Sequence, residues 1–93
     1  MRKFVIERDI PGAGHMSDED AGGAARTSNE ALAQLAPHVQ WQQSYAAGDR
    51  VFCVYLAEDE SFVRKHSELS GIPSTAIHEV GRVMVPSSAA LGL

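Results

Sequence analysis

Two alternating runs, VQWQQSYAA and RVFCVYLA, flank a Gly48-Asp49 pair and constrain this chain more than any other stretch. Side chains that alternate with period two belong to strands that bury one face, and a Gly-containing two-residue link is a hairpin turn. Val39 to Ala57 is therefore expected to form one β-hairpin. A two-residue turn sets the register, so Tyr45 should face Phe52, Gln43 face Val54 and Trp41 face Leu56. Those six residues share one side, while Ser44 with Cys53 and Gln42 with Tyr55 share the other. Trp41, Tyr45, Phe52, Val54 and Leu56 make the first side the more apolar, and it is expected to be covered. Gln40, Gln42, Ser44, Cys53 and Tyr55 are expected on an open face.

The segments around the hairpin carry their own signals. KFVIERD, residues 3–9, contains the β-branched pair Val5-Ile6 and stops at Ile10-Pro11-Gly12, which a strand does not easily pass. The loop PGAGHM brings His15 just ahead of a helix start. Ser17 is a good N-cap and Asp18, Glu19 and Asp20 fill the first turn, where the helix dipole favours acids; capping accounts for this acidic run without catalysis. Ala21, Ala24, Ala25, Ser28, Leu32 and Leu35 lie on one narrow helical face, interrupted by Gly22-Gly23 and ended by Pro37. Side chains this small are expected to let the helix sit close to a sheet. After the hairpin, Glu58-Asp59-Glu60-Ser61 opens a second helix running to about Ser70, with Phe62, Val63, His66 and Leu69 on one stripe and Gly71 and Pro73 at its end. Ala76 to Val85 reads as a fourth strand, with Gly81 at a bulge.

The resulting order is strand, helix, strand, strand, helix, strand. It predicts an α+β fold, the ferredoxin-like βαββαβ arrangement, with a four-stranded antiparallel sheet and two helices on one face. Residues 1–86 should form a single domain and 87–93 a C-terminal tail. A chain of 93 residues can bury roughly 60–65% of its unfolded surface, enough for one modest core. An open sheet face in so small a protein is commonly covered by a second copy, so a homodimer is expected. The formal charge of −4 and a pI near 5.4, with no basic run longer than two residues, argue against nucleic-acid binding. No membrane span is expected. One cysteine forms no internal disulfide and MRKFVIERD lacks a signal-peptide core, so the expected location is cytoplasmic.

Several segments together resemble a known family. They are Glu7-Arg8-Asp9-Ile10-Pro11-Gly12-Ala13-Gly14, Val39-Gln40-Trp41 with Ser44-Tyr45, Phe52-Cys53-Val54-Tyr55, Arg64-Lys65-His66, Gly71-Ile72-Pro73 and Ile77-His78-Glu79-Val80. In the same order and over nearly the whole chain, they resemble a family of short bacterial proteins that includes nickel-binding, or nickel-responsive, members. The resemblance implies a dimeric ferredoxin-like fold and nickel or another divalent transition metal as cofactor. The chain departs from the family pattern at Ala47-Gly48-Asp49-Arg50, at Ala57-Glu58 and at Val85-Pro86-Ser87, where relatives carry an acidic pair with lysine, a proline, and Asp-Pro-Thr.

Nickel accepts imidazole, carboxylate, water and thiolate ligands. Four histidines without HxH, HxxxH or CxxC spacing mean that any metal site must be assembled by the fold. The candidate ligands are His66, His15, Glu7, Cys53 and His78. His66 lies on the second helix's apolar stripe, where the competing reading is a hydrogen-bonded core histidine. His15 follows the glycine loop, and its plainer reading is a solvated residue. His78 alternates with Ile77, and Glu7 alternates with Phe4 and Ile6, which places both on the open face. Cys53 is a candidate thiolate or simply a small buried hydrophobe. His38, after Pro37, reads as a surface residue. Two further readings stand beside metal binding. One is an enzyme or carrier of the dimeric α/β-barrel kind, holding a small organic ligand in an open-face cleft at Gln42, Ser44 and Tyr55, with Glu7 and His66 orienting it. The other is a protein-interaction module. No nucleophile–base set and no phosphate-loop motif is present to assign a reaction.

Overall fold

Along the first strand Phe4, Ile6 and Arg8 are buried while Lys3, Val5 and Glu7 between them stay partly exposed. A strand built this way must hang a sheet with one covered face. The computed structural model describes residues 1–93. Its elements are β1 (Arg2–Asp9), α1 (Asp18–Leu35), β2 (Val39–Ala47), β3 (Arg50–Ala57), α2 (Glu60–Ser70) and β4 (Ala76–Glu79), with 3-10 turns at Ala13–His15 and Pro86–Ala90. The strands form one antiparallel sheet in the order β2-β3-β1-β4. That is the ferredoxin-like α+β architecture, with α1 and α2 over the face that carries Phe4, Ile6 and Arg8.

Near the turn the hairpin has the expected register. Gly48 takes a positive φ of 58° at the first turn position, where a II′ turn requires it, and Tyr45 opposes Phe52 and Gln43 opposes Val54. Between Trp41 and Gln43 the register shifts by one residue, so Trp41 opposes Tyr55 instead of Leu56. Gln42 is the extra residue of this bulge.

Between the turn and the bulge the two faces are the reverse of the expected assignment; beyond the bulge Trp41, opposite Tyr55, lies on the covered face and Gln40, opposite Leu56, on the open one, both as expected. Directly opposed residues share a face, and β1 pairs Phe4 with Tyr55, Ile6 with Cys53 and Arg8 with Val51. Cys53 and Tyr55 therefore follow Phe4 and Ile6 under the helices, where they are buried. Phe52, Val54 and Leu56 lie with Val5 on the open face, partly exposed, and Tyr45 is exposed rather than in the core. The amount of apolar surface on the hairpin pointed the wrong way because the uncovered face is itself apolar; pairing with β1 decides it.

The helix ends follow local chemistry. Ser17 Oγ accepts a hydrogen bond from the Asp20 N–H at 3.1 Å, and Asp59 caps α2 through the Ser61 N–H at 2.8 Å. Gly71 closes α2 with a left-handed φ of 70°. β4 is shorter than expected, and Gly81 falls beyond it. The Val80 N–H donates to the Lys3 carbonyl at 2.8 Å, and later backbone bonds are local to the tail, which leaves Val83, Met84, Val85, Leu91 and Leu93 exposed.

The PGAGH loop is pinned to the hairpin turn. Gly14 N–H donates to the Gly48 carbonyl at 2.8 Å, and Gly12 N–H to Asp49 Oδ1 at 2.9 Å. A Cβ on Gly14 would sit 2.7 Å from the Gly48 nitrogen, a backbone atom that cannot step aside alone. Gly14→Ala is expected to cost about 1–3 kcal/mol in urea denaturation, as overpacking does; an unchanged unfolding midpoint would mean the loop is not held against the turn.

Candidate functional site

The sheet separates two groups of polar side chains. On the open face, β1 and β4 pair Val5 with His78 and Glu7 with Ala76, which sets His78 diagonally beside Glu7. His78 Nε2 lies 2.7 Å from Glu7 Oε2. Arg50 Nη1 donates to Glu7 Oε1 at 2.8 Å, and Arg50 Nε lies 2.9 Å from Asp9 Oδ1. The hydrogen bond from His78 and the nearby Arg50 charge hold the Glu7 carboxyl below its usual range, so it remains a carboxylate in mildly acidic solution. A charged carboxylate touching an imidazole nitrogen, open to solvent, can offer two donors to a divalent cation.

Beneath the helices the chemistry is cationic. Arg8 is 1% exposed and occupies a core position of β1. Its Nη1 donates to Ser67 Oγ at 3.3 Å and to the Ile72 and Pro73 carbonyls, each at 3.1 Å; Nη2 reaches Tyr55 Oη at 3.5 Å. No carboxylate pairs with it. His66 is fully buried beside it, with Nε2 3.1 Å from Ser28 Oγ, its ring 5.0 Å from that of Tyr55, and Nδ1 without a partner. Burial first, and then the Arg8 charge, push the His66 pKa down, so the ring is held neutral. Burial and the neighbouring Cys53 push Tyr55 up, so its hydroxyl keeps its proton. Cys53 is buried and accepts from Ser44 Oγ at 2.9 Å, while Ser44 accepts from Trp41 Nε1 at 2.9 Å.

The small residues of α1 have an effect different from the expected one. Ala21, Ala24 and Ala25 do not fill the space above Trp41, Ser44 and Val51, and a cavity of about 260 Å³ remains between α1 and the sheet. Arg8, Cys53 and Tyr55 line it from the sheet side.

The candidate residues thus divide. Glu7 and His78 come together on the open face. His66 and Cys53 lie under the helices without an acid, and His15 is exposed on the 3-10 turn. No three His, Cys, Asp or Glu side chains of one chain gather to hold a metal. The cleft expected at Gln42, Ser44 and Tyr55 does not lie on the open face: Ser44 and Tyr55 line the covered cavity, and Gln42 is exposed at the bulge. Arg8 was not among the expected site residues, although its place in the Phe4-Ile6-Arg8 alternation already marks it as inward-facing.

Residues 4–80 match a family model described as nickel-responsive protein, SCO4226-like. The chain belongs to this SCO4226-like family. No curated protein matches. The crystal structure of SCO4226 from Streptomyces coelicolor A3(2) superposes with a TM-score of 0.70 at 17% identity, covering 88% of this chain and 99% of that one. At that identity the likeness concerns the fold. The SCO4226-like match ends at Val80, where the last backbone bond to the sheet is made, so the exposed tail lies outside it. No helix is long and apolar enough to cross a membrane.

His66 gives a pH prediction with a definite sign. Its folded pKa lies below the unfolded value of about 6.5, so the unfolded chain binds more protons in acid. Its contribution to stability is present above about pH 6.5 and is lost as pH falls below that, by at most about 1.4 kcal/mol per pH unit. In denaturation at a series of pH values, His66→Gln should flatten this acid slope; equal slopes for both proteins would contradict a buried neutral His66.

Proposed function

We propose that this protein binds a divalent transition metal of the nickel type on the open face of its sheet, through Glu7 and His78, in a homodimer whose second copy covers that face. The single observation that carries the reading is the 2.7 Å contact between Glu7 Oε2 and His78 Nε2, an exposed carboxylate–imidazole pair in a chain of a nickel-responsive family. The other candidates suit a metal less well. His66 is engaged with Ser28 and lies in the field of the Arg8 guanidinium, and Cys53 has no imidazole or carboxylate beside it.

Two donors from one chain are too few for a tight site. In a symmetric dimer the same patch meets itself, so a second Glu7–His78 pair and water can complete the ligand set. The partly exposed Val5, Phe52, Val54 and Leu56 on the same face favour such an arrangement, because covering them removes apolar surface from water. Arg50 competes with the metal, since its guanidinium already sits 2.8 Å from Glu7 Oε1. Binding must also weaken in acid, because a ligating imidazole has to be deprotonated.

Calorimetric titration of chelator-stripped protein with Ni²⁺ is expected to give saturable binding and a matching rise in melting temperature. Glu7→Gln and His78→Ala should each lower the affinity at least about tenfold. Arg50→Ala should raise it by removing the competing cation. Saturable binding that neither ligand substitution alters, or no binding at tens of micromolar metal, would refute the assignment.

A further inference from the structure

We propose that the cavity between α1 and the sheet is a binding site for a small organic carboxylate with an apolar body, and that the Arg8 guanidinium receives its carboxylate. This site lies on the face of the sheet opposite the metal pair, and the inference stands independently of the metal reading.

Three observations meet here. The first is an unneutralised charge. Arginine stays protonated in proteins, yet Arg8 is 1% exposed and none of the chain's acids pairs with it; its partners are carbonyls and hydroxyls. A buried guanidinium ordinarily has a counter-ion, because desolvating an unpaired charge is unfavourable. The donors are also unequally used. Nη1 carries three of the four contacts, Nη2 has only the long 3.5 Å contact to Tyr55, and Nε donates to nothing. A planar fork with free N–H groups is the partner that a carboxylate fits with two parallel hydrogen bonds.

The second observation is the space itself. Arg8 lines a cavity of about 260 Å³ between α1 and the sheet. That is room for a small organic acid, below the usual size of a drug-sized ligand's pocket. The third is the character of the walls. Apart from Arg8 the lining is mostly apolar, from Ile10, Met16, Trp41, Val51 and Ile72, with alanines of α1 as the roof. The lining hydroxyls and thiol are in part committed to one another: Ser44 accepts from Trp41 and donates to Cys53, and Ser28 meets His66. An apolar body with one anionic end matches such walls, whereas a sugar or a nucleotide would leave many of its own polar groups unpaired. The Tyr55 hydroxyl, kept protonated by burial, is a further donor beside the guanidinium.

The test uses the full chain, stripped of metal and kept in chelator, with benzoate and octanoate as probes and benzamide as the neutral counterpart of benzoate. Calorimetry and thermal melts should show saturable binding of at least one carboxylate with a rise in melting temperature, and at least tenfold weaker binding of benzamide. Two variants locate the site. Ala25→Leu places a larger side chain in the α1 roof at a position that favours helix, so it should keep the native circular dichroism and lose the carboxylate. Arg8→Met should lose it at least about tenfold where the variant folds. No saturable binding of either carboxylate up to millimolar concentration, equal binding of benzamide, or carboxylate binding unaltered in folded Ala25→Leu would each overturn the proposal. A nickel-binding protein that fails this test leaves the metal reading standing, and the reverse also holds.

Discussion

The guanidinium of Arg8 joins more of this molecule than any other side chain. From β1 it reaches Tyr55 on β3, Ser67 on α2, and the carbonyls of Ile72 and Pro73 in the crossover to β4. An aliphatic residue at this position could fill the space, but it could not bind those two carbonyls. Their capture brings the chain after α2 back onto the sheet, and β4 then pairs with β1 from Ala76 to Glu79. The charge has a further consequence: it suppresses protonation of His66 and makes the covered side of the sheet unfavourable for a second cation.

One strand therefore divides the chemistry of the two faces. Residues of β1 alternate between an inward set, Phe4, Ile6 and Arg8, and an outward set, Val5 and Glu7. Because β3 pairs along the whole of β1, the same parity fixes Cys53 and Tyr55 inward and Phe52 and Val54 outward. The carboxylate and the arginine are adjacent in sequence, at positions 7 and 8, yet on opposite sides of the sheet. The outer side offers an anion beside an imidazole, and the inner side offers a cation beside a cavity.

Much of the fold is legible in the sequence, because its cues are local. Ser17 and Asp59 cap helices, Gly71 ends one, and Gly48 turns the hairpin; each acts through its immediate neighbours. What remained hidden depends on distant pairing. A one-residue bulge at Gln42 moves Trp41 from opposite Leu56 to opposite Tyr55, and only the pairing of β3 with β1 reveals which hairpin face is covered. The pairing of Glu7 with His78 follows from β1–β4 register, although the alternation of each strand already places both residues outward. The cavity arises where a helix of small residues meets a sheet whose volume it does not fill, a relation between two elements that neither carries alone.

In the proposed site the metal belongs to the outer face, at Glu7 and His78, and not to the histidine and cysteine beneath the helices. Anomalous diffraction at the nickel absorption edge, from crystals grown with Ni²⁺, tests it most directly. A peak is expected beside Glu7 and His78, against a second copy of the chain. A peak at His66, Cys53 or His15 with none beside Glu7 would contradict it.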